Sequence, residues 1–163
     1  MHVIAIYAGS FDPITAGHAD IIRRSLEFCD RLYVAIAVNP NKQALFDFDE
    51  RLHFIRDALH GDDRVEVRQF RGLLVDFARD VGATLLIRGL RAVADFEYEY
   101  QMALMNRHLS PKLETVFMVP SIDTTYISSS LVKEVARFSG NVDGLVSPMV
   151  AAALKAKFES TGA

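Results

Sequence analysis

A chain of 163 residues that is 50% hydrophobic and 24% charged is long enough for one domain with a real core, and too apolar for a disordered segment. Its 18 Lys plus Arg against 21 Asp plus Glu leave a formal charge of −3, with basic residues scattered rather than blocked, which argues against nucleic acid or an anionic membrane as partner. The longest stretches free of Asp, Glu, Lys and Arg, residues 1–11 and 144–154, fall well short of the about 20 apolar residues that a membrane span needs.

In chain order, β-branched apolar runs alternate with segments of helical period. A strand is expected at residues 3–7, then a helix whose face is Ala19, Ile22, Leu26 and Cys29. A second strand at 32–38 precedes a helix carrying Leu52, Ile55 and Leu59; a third at 65–70 precedes one carrying Leu74, Phe77 and Val81. After a fourth strand at 84–87 comes a long helix, about 92–109, with Tyr98, Met102, Met105 and Leu109 on one stripe. A fifth strand at 115–119 is followed by a helix carrying Leu131, Val135 and Phe138 and by a last helix at 149–158. The pattern implies right-handed βαβ units and a single domain over residues 1–163: a doubly wound, Rossmann-like α/β fold with a five-stranded parallel sheet and helices on both faces.

The third strand alternates apolar with polar residues while the first, second and fourth are nearly continuous apolar runs, which places the third at the sheet edge. With a strand order of 3-2-1-4-5, ligands belong beyond the carboxyl ends of the strands, where the winding reverses. The first residues show no basic region or cleavage site of a secretory leader, so a soluble cytoplasmic protein is expected, with Cys29 a small buried apolar residue. Apolar residues 150–154 are compatible with subunit packing.

No GxGxxG or GxxxxGK[ST] sequence is present, which weakens dehydrogenase and P-loop readings. After the first strand comes Gly9-Ser10-Phe11-Asp12-Pro13-Ile14-Thr15-Ala16-Gly17-His18. There a glycine permits close approach, Ser10 offers a hydroxyl, a helix start offers unpaired N–H groups, and His18 can donate to a phosphoryl oxygen. The same residues would also serve as an ordinary turn with a surface histidine. Arg88-Gly89-Leu90-Arg91 ends the fourth strand with two guanidinium forks suited to phosphate, or with a plain surface pair. Thr124-Thr125-Tyr126-Ile127-Ser128-Ser129-Ser130 precedes a helix; one serine is a sufficient cap, and three could surround a polyphosphate. In the expected strand order these loops converge on one site. Glu99 either meets a ribose hydroxyl or pairs with an arginine, and His2, His53, His60 and His108 are read as surface residues.

Ser10-Phe11-Asp12-Pro13 followed by Thr15-Ala16-Gly17-His18 resembles the T/HxGH motif of the nucleotidyltransferases, and RGLRAVADFEYE at residues 88–99 with ISSSLVKE at 127–134 resembles bacterial phosphopantetheine adenylyltransferases. The resemblance runs over most of the chain. It implies reversible adenylyl transfer from ATP to 4′-phosphopantetheine, giving dephospho-coenzyme A and pyrophosphate, with Mg²⁺ carried by nucleotide phosphates and no protein metal ligands. His18 would contact the ATP phosphates and stabilise the transition state together with Arg91, and Ser10 and Lys42 would hold the attacking phosphate. ATP would lie against Ser10, Phe11, His18, Gly89, Leu90, Arg91, Glu99 and the loop from Thr124 through Thr125, Tyr126, Ile127, Ser128 and Ser129 to Ser130. The acceptor would meet Gly9, Ser10, Lys42 and Arg88, and its pantetheine arm would meet Leu73, Leu74, Met102, Met105 and Asn106. A homohexamer inhibited by coenzyme A is also implied. Ser10 stands where the family often has Thr, which keeps the hydroxyl, and Thr124 stands where an aromatic residue is common, which removes a stacking surface. Phosphoryl transfer by positioning and charge stabilisation needs no nucleophilic side chain, so direct in-line attack without a covalent enzyme intermediate is expected. Two rival readings are another acceptor, such as nicotinamide mononucleotide or glycerol 3-phosphate with CTP, and a nucleotide-binding module without turnover.

Overall fold

In a computed structural model that describes residues 2–38, 43–91 and 93–160, strands and helices alternate as the periodicity implies. The elements are β1 (Ile4–Gly9), α1 (Ala16–Ser25), β2 (Arg31–Ala37), α2 (Phe48–Ala58), β3 (Val65–Phe70), α3 (Leu74–Val81), β4 (Leu85–Gly89), α4 (Val93–Leu109), β5 (Glu114–Met118), α5 (Ser129–Arg137) and α6 (Pro148–Ser160). The sheet is parallel in order β3-β2-β1-β4-β5, with the first strand at its centre and the third at its edge, as read from the alternation.

Two cores follow from the two-residue period of the central strands. Ala5 and Tyr7 of β1 with Leu32, Val34 and Ile36 of β2 face one layer, packed on Ile21, Ile22, Phe54, Ile55, Val132, Val150 and Leu154. Ile6 and Ala8 with Tyr33 and Ala35 face the other, packed on Val75 and Ala78 of α3. At the edge, Glu66 of β3 accepts from Arg31 and Arg68 at 2.5 Å, which places charge along an otherwise open strand. Cys29 is buried, and burial pushes its thiol up. Among the described residues, no helix is long and apolar enough to cross a membrane.

Three expectations change. Val150 and Leu154 are fully buried in the chain's own core, which leaves only Ala152 of that stretch exposed and Ala151 and Ala153 partly so. On α5 Val132 is fully buried and Val135 packs on the core as expected, while Leu131 and, just past the helix, Phe138 are exposed. On α4 the stripe is not core: Tyr98, Met102, Met105 and Leu109 are all exposed, while Asn106 is buried and the Phe96 ring lies 6.1 Å from that of Phe117 on β5.

Candidate active site

The carboxyl ends of β1 and β4 open into a cleft of about 360 Å³, roofed by the loop that leads from β5 to α5. Its floor is built by the turn after β1. Phe11 adopts a left-handed backbone with φ of 46° and lies buried between Tyr7 and His18, at ring distances of 5.4 and 5.1 Å. Such a backbone is uncommon for a non-glycine residue, and here the ring's burial between two aromatic neighbours accompanies it.

His18 is held by the cap of its own helix. Thr15 Oγ1 accepts from the His18 backbone N–H at 3.4 Å, and the Thr15 backbone N–H donates to His18 Nδ1 at 3.1 Å. A ring nitrogen that accepts cannot carry the proton, so the proton of the neutral imidazole sits on Nε2. Burial, helped by the Arg91 charge, lowers the His18 pKa to about 4, so the ring is neutral at pH 7. The cleft thus has a fixed, uncharged N–H donor at the start of α1, where the helix adds unpaired amides and the positive end of its dipole.

Two side chains from other elements lock this turn. Asp12 is buried and accepts from the backbone N–H groups of Leu45 and Phe46 at 3.0 and 2.9 Å, while Lys133 Nζ of α5 donates to it at 3.0 Å. Arg51 of α2 donates to the Ser10 carbonyl at 2.9 Å and to the Asp47 carbonyl at 3.1 Å. The turn is further tied to α5 by Ser129 Oγ, which donates to the Pro13 carbonyl at 2.7 Å. Ser128 caps α5 by accepting from Leu131 N–H at 3.1 Å. Gly17 is required by the roof: a Cβ there would stand 3.2 Å from the Thr124 carbonyl oxygen.

On β4, the Arg88 guanidinium grips both carboxylate oxygens of Glu99 at 2.7 and 2.6 Å and donates to the Ala8 carbonyl at 2.7 Å. Glu99 thus makes the arginine pair that the sequence allowed, and three of the five Arg88 N–H groups are engaged. The structure brings Gly9, Ser10, His18, Arg88, Gly89 and Arg91 together around the cleft. Glu99, Thr124, Ile127, Ser128, Ser129 and Ser130 complete its wall from α4 and the β5–α5 loop. It does not bring Leu90, Thr125 or Tyr126 to the lining, and Phe11 lies beneath it. Leu73, Leu74, Met102, Met105 and Asn106 lie outside the lining; Leu73 and Met105 are 55% and 53% exposed, whereas Asn106 is buried. Lys42 falls outside the described residues. Sequence reading missed Tyr7, Thr15, Ile21 and Pro120, which also line the cleft. A tyrosine near the carboxyl end of an otherwise apolar strand was the available signal for the first of these.

Residues 6–135 match the cytidylyltransferase-like family. The chain is 55% identical over 155 residues to the phosphopantetheine adenylyltransferase of Geotalea daltonii, covering 95% of this chain and 96% of that protein. The chain belongs to the phosphopantetheine adenylyltransferase family. A second member, from Thioalkalivibrio sulfidiphilus, is 54% identical over 96% of this chain and 99% of its own. Among solved structures, a putative nicotinate-nucleotide adenylyltransferase from Vibrio parahaemolyticus superposes with a TM-score of 0.68 at 17% identity, covering 94% of this chain and 91% of that one. A bifunctional NMN adenylyltransferase/ADP ribose pyrophosphatase from Francisella tularensis gives 0.74 at 14% identity, over 98% of this chain and 50% of that one. At such identities these two structures share the fold, whereas the phosphopantetheine adenylyltransferases share more than half of the sequence over nearly the whole chain.

Proposed function

We propose that this cleft transfers the adenylyl group of ATP to 4′-phosphopantetheine, releasing pyrophosphate and dephospho-coenzyme A, and that the reverse reaction uses the same site. The observation that carries the reading is the 55% identity, over 95% of the chain, to a protein named phosphopantetheine adenylyltransferase. The geometry supports it. His18 presents a neutral Nε2–H, Arg91 stands near enough to depress the His18 pKa, and α1 and α5 both start at the cleft. Donors fixed before the substrate arrives can stabilise charge as it develops on phosphate oxygens, without a reorganisation cost at the moment of reaction.

The acceptor phosphate attacks the α-phosphorus of ATP in line, with pyrophosphate leaving on the opposite side and no covalent enzyme intermediate. Ser10 and Lys42 hold the attacking phosphate, and His18, Arg91 and the serine loop meet the nucleotide phosphates. Glu99, a carboxylate of the lining, has both oxygens engaged by Arg88, so Mg²⁺ would be carried by the nucleotide phosphates and would supply charge neutralisation there. The pantetheine arm leaves the cleft along exposed apolar side chains, Leu73 and Met105 among them. Tyr98, Leu104 and Leu109 on the same exposed helix serve a homohexamer, and coenzyme A, sharing the product's pantetheine and adenylyl parts, acts as inhibitor in the cytoplasm.

The deciding experiment measures pyrophosphate released from ATP and Mg²⁺ with each acceptor in turn. Release with 4′-phosphopantetheine is expected. Release with nicotinamide mononucleotide alone would move the activity to another acceptor, and ATP binding without any product would leave a nucleotide-binding module.

A further inference from the structure

Tyr7 is 5% exposed at the centre of the sheet, its backbone in register with Val34 of β2 and Ile87 of β4. Its ring packs edge-on to Phe11 and lies 6.3 Å from that of His18. The hydroxyl oxygen stands 3.5 Å from where a Cβ on Gly89 would be, a position that Ile21 Cδ1 crowds at 2.5 Å, so the hydroxyl lies at the end of β4 beside the Gly89 backbone. None of the described residues gives this hydroxyl a hydrogen bond, and no buried side-chain nitrogen or oxygen among them is both sealed from solvent and unpaired. The hydroxyl therefore reaches the open space of the cleft, which Tyr7 lines. A nearly buried phenol without a protein partner is unfavourable unless something entering the cleft accepts from it.

We propose that the Tyr7 hydroxyl is a ligand-binding group of this site that donates a hydrogen bond to a phosphoryl oxygen of bound ATP. This rests on the adenylyl-transfer reading for the identity of the nucleotide. Burial pushes the phenol pKa above its usual value, so the group keeps its proton and acts as a donor, suited to an anionic oxygen. The His18 ring lies beside it, and the charges that act on it are Arg88 and Arg91 and, in the opposite sense, Glu99; the two arginines and His18 are groups that the nucleotide phosphates would meet. Together with the His18 Nε2–H, it would give the triphosphate two neutral donors on the floor of the cleft.

The test is Tyr7→Phe, which removes one oxygen and keeps the ring packed. Calorimetric titration with Mg·ATP should show Kd raised by about 10-fold or more, as expected for a hydrogen bond to a charged group. Inorganic tripolyphosphate, as a probe of the phosphate chain alone, should lose affinity by a similar factor. The KM for 4′-phosphopantetheine should stay within twofold, and the unfolding temperature should hold or rise because no internal hydrogen bond is lost. Unchanged ATP affinity, a fall in unfolding temperature with affinity unchanged, or a change confined to the acceptor KM would each overturn the proposal. ATP affinity is read without turnover, so a protein inactive toward phosphopantetheine would refute the acceptor assignment while the Tyr7 result still stands or falls by itself.

Discussion

Replacing Asp12 by alanine is expected to destabilise the chain more than any surface change around the cleft. The carboxylate is buried and accepts from the Leu45 and Phe46 N–H groups at 3.0 and 2.9 Å and from Lys133 Nζ at 3.0 Å. Alanine leaves the buried Phe46 amide without a partner, worth about 1–3 kcal/mol, and a half-buried Leu45 amide worth less. It also strands the Lys133 charge; because that side chain is 31% exposed, water recovers part of the cost of a fully buried broken pair. A total of about 3–5 kcal/mol follows. For a domain of 163 residues, at about 2.1 cal/mol/K per residue, that lowers Tm by roughly 9–15 °C. Thermal melts followed by far-UV circular dichroism measure it, and Asp12→Asn, which keeps one accepting oxygen, should fall between alanine and wild type. Lys133→Met approaches the pair from the other side, and its effect should shrink markedly in the Asp12→Asn background. An Asp12→Ala melt within 3 °C of wild type would refute the claim that this carboxylate clamps three segments.

The His18 pKa of about 4 lies below the ordinary 6.5, so on acidification the unfolded chain takes up this proton first. Its contribution to stability is complete above about pH 6.5 and is lost as pH falls through 4, by up to about 3 kcal/mol; urea midpoints between pH 7.5 and 4.5 should therefore fall less in His18→Gln than in wild type, and parallel curves would exclude the neutral buried ring. In His18→Ala, kcat should drop about 100-fold or more while calorimetric ATP affinity changes by only a few fold, since the donor acts on charge that develops during transfer. Glu99→Gln removes one half of a bidentate pair and should cost roughly 1–3 kcal/mol in denaturant melts and raise the KM of a substrate, because Arg88 loses the group that orients it. Charge placed on the exposed side of α4, by Leu104→Lys with Tyr98→Glu, should reduce the particle mass measured by light scattering; an unchanged mass would remove this helix from the subunit contact.

Much of the frame was legible because the strands obey a simple rule. Where both faces are covered the runs are continuously apolar, and where one is open, as at Glu66 and Arg68 of β3, polar residues alternate; the edge position of the third strand followed from that contrast. Helical periodicity was less informative, since it reports that a face is apolar and not what covers it. The stripe through Tyr98 and Met105 and the buried pair Val150 and Leu154 look alike in sequence, yet the first faces outward and the second lies in the core. In the cleft, the converging loops were readable from glycine, serine and cap chemistry. The pairings Asp12 with Lys133 and Arg51 with the Ser10 carbonyl span 121 and 41 positions, and no local pattern connects such distant partners. Tyr7 was hidden for another reason: as part of an apolar strand its ring reads as core, and it is core, with only the oxygen belonging to the site.

The central position of β1 has a consequence for how the protein comes off the ribosome. β1 needs β2 on one side and β4, ending at Gly89, on the other, and the clamp on its following turn waits for Lys133. Until β4 is made, β1 is an apolar strand with an unfilled edge, and until Lys133 is made the turn after it lacks its clamp. Nucleotide binding then waits for α5, and ATP at 100 times its Kd would add about 2.7 kcal/mol only once that point is passed. Truncations released before α5 should be the species that chaperones hold, and the ones that never compete for the cell's ATP.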